Sequence, residues 1–383
     1  MQLSRMKNIR QAPIIQLLSE VNMPDDVVSF GQGIPFFAPP VEAINAARKI
    51  CSQPEGYQYS TDQGFKKLRQ IISEKLKKEQ NITINEDTQV MVTAGANQAF
   101  MNILLTITQT SDEIIFFTPT YFNYVMAVKM IDCKPIFVSS HPSFQPNLSE
   151  LERKITSKTK AIVTISPNNP TGAVYTANSL KKINELCANH CLFHISDEVY
   201  EYFVYDDATH ISPLQFDPSL SHTISLFSLS KAFSLSGYRI GYMVFPKNLL
   251  SDALKVQDTN GIAASSPSQS AAMSVIPFGD SYCKTFFPIL KRNRKHVENT
   301  LSSVSMISGT WTNGAYYFFV NVDSSETSWN LAKQLIEEYK VIVLPGEMFD
   351  VNHSSFRLSY GNLSEEVLCK GLNRLVNGLK EIC

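Results

Sequence analysis

The sequence predicts an α/β protein, with a large domain built on a mostly parallel seven-stranded sheet and a smaller α+β domain after it. Two observations carry this reading. Between residues 90 and 245, seven short apolar runs rich in β-branched and aromatic residues alternate with longer amphipathic stretches; they lie at 89–92, 113–117, 135–138, 161–165, 192–196, 223–227 and 240–244. Such alternation calls for crossover helices and strands buried on both faces. Beyond residue 315 the pattern changes, with strand-like runs at 316–322, 341–344 and 356–358 set among helical segments at 329–339 and 365–382.

Taken in chain order, residues 1–40 read as an N-terminal segment that packs with the small domain, 41–280 as the large domain and 281–383 as the small domain. Among the crossover helices, 178–187 is the clearest, since its apolar residues recur at 180, 183 and 186–187, a helical period. After Pro267 helical spacing runs to Leu301 and bridges the two domains, with a kink or division expected at Pro288. There is no internal repeat and no low-complexity tract.

Composition narrows the function. The 383 residues carry 34 basic and 35 acidic side chains, a formal charge of -1, with 44% hydrophobic and 18% charged residues. Disorder and fibrous architectures are excluded, and no basic run offers a footprint for nucleic acid or an anionic membrane. The first ten residues are basic without an apolar core, and no stretch is apolar enough to span a bilayer, so a cytoplasmic setting is expected. Seven scattered cysteines, an odd number, read as reduced thiols. Cys187, His190, Cys191 and His194 fit no common zinc spacing; a helix end followed by a buried strand is expected there, and no metal site. G-x-G-x-x-G, P-loop, G-x-S-x-G and H-E-x-x-H motifs are all absent.

Chemistry concentrates at strand ends, where open α/β sheets place ligand contacts. SLSKAFSLSGYRIG (228–241) follows one strand, SPNNPTG (166–172) and ISDEVY (195–200) close two others, and TAGANQA (93–99) joins a strand to a helix. TPTYFNY (118–124), YQYSTDQG (57–64), FGQGIP (30–35) and FRLSY (356–360) complete the set. In their order along the chain, from about residue 28 to the C-terminus, they resemble the class I and II aminotransferases, pyridoxal phosphate-dependent transferases of fold type I.

The resemblance implies a role for each matching position. Lys231 would form the Schiff base with pyridoxal 5'-phosphate and later carry the substrate's proton. Ser228, Arg239 and the backbone amides of Ala96 and Asn97 would bind the cofactor phosphate, joined by Tyr59 reaching across a homodimer with shared active sites. Tyr121 would stack on the ring, Asp197 would keep its nitrogen protonated, and Asn169 and Tyr200 would donate to its ring oxygen. Arg357, with Gly33 and Asn169, would hold the substrate carboxylate.

By the same resemblance the activity is transfer of an amino group from an L-amino acid to a 2-oxo acid in a ping-pong cycle. Elimination from a cysteine conjugate, decarboxylation or cyclisation on the same cofactor would keep every one of these residues. Retention of Lys231 together with Asp197 and Arg357 speaks against a non-catalytic binding protein. Phe36, followed by Phe37, stands after Gly-x-Pro where the family often has an acid, and Thr120 where it often has an aromatic residue or glycine. The two phenylalanines are expected near the mouth of the substrate pocket, favouring a monocarboxylic, apolar or aromatic donor. Arg5 and Arg10 are the cations able to oppose that reading from a closing N-terminal segment.

Overall fold

The computed structural model describes Met6, Ile9 and residues 11–383. Arg5 and Arg10 lie outside the described residues. The chain opens with a short helix, Pro13–Ser19, and strand β1 (Val28–Ser29). The seven expected strands follow as β2 (Val90–Thr93), β3 (Glu113–Thr118), β4 (Lys134–Ser139), β5 (Thr159–Ile165), β6 (Phe193–Asp197), β7 (Thr223–Ser228) and β8 (Gly241–Val244). They form one sheet in the order β2-β8-β7-β6-β5-β3-β4, parallel except where β8 runs against both of its neighbours.

The register of this sheet assembles the site. Ile165 pairs with Asp197 and Asp197 with Leu226, so the carboxyl ends of β5, β6 and β7 lie side by side. The turns leaving them carry Asn169, Tyr200 and Lys231. Because β8 is antiparallel, its first residue, Gly241, pairs with Ser228 on one side and Thr93 on the other. Arg239 and the helix Ala96–Ile107 are thereby brought to the same edge. Helices cover both faces: Phe100, Ile103 and Leu104 pack on Ile114, Phe116 and Met243, while Ile183 and Cys187 pack on Ile115 and Ile162. Each of these side chains is fully buried, and at roughly 1.5–3 kcal/mol per large apolar side chain they hold the strand ends rigidly.

The later strands are β9 (Ile307–Gly309), β10 (Tyr317–Val322), β11 (Val341–Ile342), β12 (Leu344–Pro345) and β13 (Ser355–Ser359). An antiparallel sheet, β12-β13-β10-β9, sets Phe319 opposite Arg357, and Arg357 opposite Leu344. The run expected as one strand over 341–344 divides between two sheets, because β11 pairs in parallel with β1 while Pro345, lacking an N–H, ends the pairing of β12. Chain order therefore hides a neighbourhood: the segment around Ser29 lies beside Ile342.

The bridge is divided at Pro288, as expected, and once more before it. It comprises helices Ser266–Val275, Ser281–Lys284 and Phe287–Ser302. One break falls at Gly279, whose φ of +57° suits glycine, and the other at 285–286, just before Pro288, which sits in the first turn of the last helix, where its missing N–H costs nothing. Cys187 and His190 lie at the end of the helix Ala177–Asn189, and His194 lies on β6, bonded to Thr164 and Asn184. Among the described residues no group of side chains is arranged to hold a metal ion, and no helix is long and apolar enough to cross a membrane.

Candidate active site

A cavity of about 480 Å³ opens at the carboxyl edge of the large sheet, against β10, β12 and β13. Lys231 lies at its floor. The helix Leu229–Ala232 starts at Ser228, whose hydroxyl accepts from the Ser230 N–H, and this turn presents the lysine to the cavity. Nζ donates to the Gly33 carbonyl at 2.8 Å. Burial and the Arg357 guanidinium pull its pKa from 10.5 down to about 8, against the opposing pull of Asp197. About a tenth is therefore a neutral, nucleophilic amine at pH 7, far more than for an ordinary lysine.

Asp197 ends β6 only 4% exposed. Burial lifts its carboxyl to about 6, although Tyr124 Oη donates to Oδ2 at 2.7 Å and the Val199 N–H to Oδ1 at 3.1 Å. This carboxylate is oriented by neutral donors, and no cation among the described residues touches it. Tyr124 in turn stacks on Phe100, with ring centroids 3.8 Å apart. Tyr121 lines the cavity one helical turn earlier, its hydroxyl accepting from Asn123.

At one end of the cavity Arg239 adopts a left-handed backbone, φ +51°, and its guanidinium donates to the carbonyls of Ser236 and Ala94. Gly95 caps the helix Ala96–Ile107 with φ +83°, and a Cβ there would lie 2.7 Å from Arg239 Nη2. The absent side chain lets a cation and the helix's first free amides, those of Ala96 and Asn97, meet beside Ser228. That combination of a guanidinium and helix N-terminal amides favours an anion there. At the other end Arg357, 3% exposed, donates from Nη1 to Asn169 Oδ1 at 2.9 Å and from Nη2 to the Gly31 carbonyl. Its Nε has no protein partner, so a buried donor remains for a ligand.

Eleven of the twelve residues singled out from the sequence line this one cavity. Tyr59 does not; it is 85% exposed on the loop after the helix Pro54–Tyr57. Phe36 and Phe37 are also absent from the lining, which corrects the expectation for them. Phe37 stacks on Phe286 at 4.1 Å, and Phe36 meets both rings edge-on, so the pair is absorbed by the bridge helices. Apolar lining comes instead from Ile14, Leu18, Ile34, Phe122, Ile342 and Leu344. Thr120 is buried and held through its N–H by the Phe349 carbonyl, again outside the lining.

Sequence reading also missed Tyr124, Ser230 and Tyr317. Tyr124 and Ser230 lie inside runs already singled out for other residues. Tyr317 carried no signal beyond its place in an apolar strand.

The sheet edge thus gathers an amine of lowered pKa, a buried acid and two separated guanidinium groups, the chemistry of a site suited to anionic ligands. Comparison with known proteins makes this specific. The chain belongs to the aminotransferase class I and II family, whose pattern matches residues 25–375. It is 31% identical to a probable aspartate/prephenate aminotransferase of Aquifex aeolicus, over 99% of this chain and 98% of that one. Among solved structures it resembles an aromatic aminotransferase from Pyrococcus horikoshii, with a TM-score of 0.88 and 32% identity over 96% of this chain and 99% of that one. An aspartate aminotransferase from Thermus thermophilus with maleate gives a TM-score of 0.90 at 28% identity, over 99% and 100%. The protein is an aminotransferase, moving an amino group between an amino acid and an oxo acid on a pyridoxal phosphate-type fold.

Proposed function

We propose that this aminotransferase carries pyridoxal 5'-phosphate on Lys231, acts as a cytoplasmic homodimer, and prefers monocarboxylic L-amino acids with apolar or aromatic side chains. The observation that carries the reading is the buried Lys231 amine, held near pKa 8 between an anion site at Arg239 and a carboxylate site at Arg357.

The residues fit the cofactor. Arg239, Ser228 and the amides of Ala96 and Asn97 would hold its phosphate, in the space that Gly95 leaves by lacking a Cβ. Asp197, buried with its charge unmatched by a touching cation, would pair with a protonated ring nitrogen. Asn169 spends its Oδ1 on Arg357, leaving its amide N–H groups, with the Tyr200 hydroxyl, for the ring oxygen. Tyr121 would cover the ring face. When bound, the cofactor supplies an electron sink for bonds broken at the substrate's α-carbon.

The chain's own groups do the rest. Arg357 grips the α-carboxylate with a fork of donors whose orientation is fixed by Asn169 and Gly31. Lys231, neutral in part at pH 7, holds and returns the α-proton. The helix Pro13–Ser19 roofs the cavity with Ile14 and Leu18, which limits water. Among the described lining residues the cations are Lys231, Arg239 and Arg357 alone. A substrate side-chain carboxylate would therefore be buried without a partner, which disfavours aspartate and glutamate as donors.

Tyr59, 85% exposed beside the 69%-exposed Tyr57, supports a second subunit as the place where its hydroxyl is used. Seven free thiols suit a reducing compartment. The test is a panel of L-amino acids added singly to cofactor-loaded protein. Apolar and aromatic acids should convert the aldehyde-form absorbance to the amine form fastest. Faster conversion by aspartate would overturn the side-chain preference, and light scattering showing a fully active monomer would overturn the shared site.

A further inference from the structure

Tyr200 and Tyr317 place their hydroxyl oxygens 2.5 Å apart, both in rings that are fully buried. They come from different parts of the chain. Tyr200 follows β6 in the large sheet, and Tyr317 opens β10 in the small one. The pair is built to be close: a Cβ on Gly33 would lie 2.1 Å from Tyr317 Oη, so glycine at 33 makes room for this hydroxyl. The Tyr317 ring also lies under the Arg357 guanidinium, 4.6 Å from its centroid. The Gly33 carbonyl, finally, accepts from both Lys231 Nζ and Tyr316 Oη. One tyrosine thus touches the partner of the amine, the carboxylate clamp and the phenol of the large domain.

A phenol has a single hydrogen to give. If Tyr200 directs its hydrogen to a ligand in the cavity, the short contact with Tyr317 must be made by the Tyr317 hydrogen, with Tyr200 oxygen accepting. Accepting one hydrogen bond strengthens the bond a hydroxyl donates. We propose that Tyr317 is a positioning residue for amino-group transfer, donating to Tyr200 from the small domain and so strengthening and aiming the hydrogen bond that Tyr200 makes to the cofactor's ring oxygen. This rests on the proposed cofactor reading. Because Tyr317 rides on the strand beside Arg357, the same residue ties the phenol to the carboxylate clamp. The titratable and charged groups facing Tyr317 are Tyr200 from the large sheet's edge, Tyr121 from the helix beside it, Tyr316 from its own strand and Arg357 from β13, while Lys231 lies over the Tyr200 ring.

The test uses the holoenzyme. A donor to the ring oxygen withdraws that oxygen from the nitrogen bound to Lys231, lowering the nitrogen's proton affinity. The pH midpoint of the bound cofactor's visible absorbance should therefore rise in Tyr317→Phe, by less than in Tyr200→Phe. The double variant should rise no further than Tyr200→Phe alone. The phenylalanine ring still lies under Arg357, so KM for the amino acid should change by less than about twofold, which separates this role from a general loosening of the site. Wild-type protein without a visible band fixed at Lys231 would remove the cofactor reading and this proposal with it. If wild type titrates and Tyr200→Phe shifts the midpoint, an unmoved Tyr317→Phe or additive shifts in the double variant would overturn this proposal alone.

Discussion

Arg357 donates to Asn169 Oδ1 at 2.9 Å although the two residues lie 188 positions apart, one on β13 and the other in the turn after β5. The small sheet's proposed carboxylate clamp is thereby aligned by a residue of the large sheet's edge. Arg357→Lys keeps the charge but loses the fork and the contact with Asn169. KM for the amino donor should rise about 10- to 100-fold, the equivalent of ~1.5–3 kcal/mol for a charge-assisted hydrogen bond, with a smaller fall in kcat. Steady-state kinetics at saturating oxo acid checks this; an unchanged KM would remove Arg357 from substrate binding.

Asp197 and Tyr124 form the second testable pair. Asp197→Asn should retain cofactor and lose roughly 10²-fold or more in turnover, as expected when one preorganised electrostatic partner is removed. Tyr124→Phe removes only the orienting donor, so its effect should be nearer fivefold, or about 1 kcal/mol. Single-turnover rates with a good donor distinguish the two, and equal losses would place Tyr124 in the chemistry itself.

Ile14 and Leu18 form the apolar roof of the cavity. Truncating either to alanine should lower kcat/KM for a large apolar donor about 5- to 30-fold, from ~1–2 kcal/mol of lost apolar contact, and leave alanine as donor nearly unaffected. Parallel losses for alanine and the large donors would instead mean that the helix acts on the whole site.

His194 gives an acid-stability prediction. It is fully buried on β6, with Nδ1 facing the Asn184 amide and Nε2 facing the Thr164 hydroxyl. Burial lowers its pKa from 6.5 to about 3. An unfolded chain takes up this proton below pH 6.5, whereas the folded one refuses it until about 3. Stability is therefore lost as pH falls below 6.5, approaching about 1.4 kcal/mol per pH unit from this group. Urea unfolding between pH 7 and 4.5 should show a steeper decline for wild type than for His194→Gln; matching slopes would contradict the burial account.

Much of the fold was legible because strands of a mostly parallel sheet, buried on both faces, are largely apolar along their length, and each of the seven runs is. The helix Glu365–Ile382 was equally plain from its amphipathic period. What stayed hidden depends on pairing across long separations. The two-residue β1 has no pattern of its own and exists because Val28 and Ser29 meet Val341 and Ile342. Ile307–Gly309 is too short and polar to be read as a strand until Asn321 and Val320 are placed beside it. For the site, residues whose chemistry is rare in a buried turn, such as Lys231 and Asp197, stood out from their runs. Tyr124 and Tyr317 are aromatic residues in apolar runs, where packing alone would account for them. Phe36 and Phe37 misled for a related reason: their sequence neighbours line the cavity, but the backbone turns both rings toward Phe286.

The claim on which the rest depends is that Lys231 is the cofactor lysine. Borohydride reduction of the cofactor-loaded protein, followed by peptide mapping, tests it most directly. Lys75 is the natural control, a second buried lysine whose Nζ is held at 2.6 Å by Glu201 and whose pKa that pair raises despite burial. The result expected is a single reduced adduct on the peptide containing Lys231, absent from Lys231→Ala protein and undiminished in Lys75→Met. An adduct on Lys75 or on any surface lysine, with Lys231 unmodified, would contradict the account.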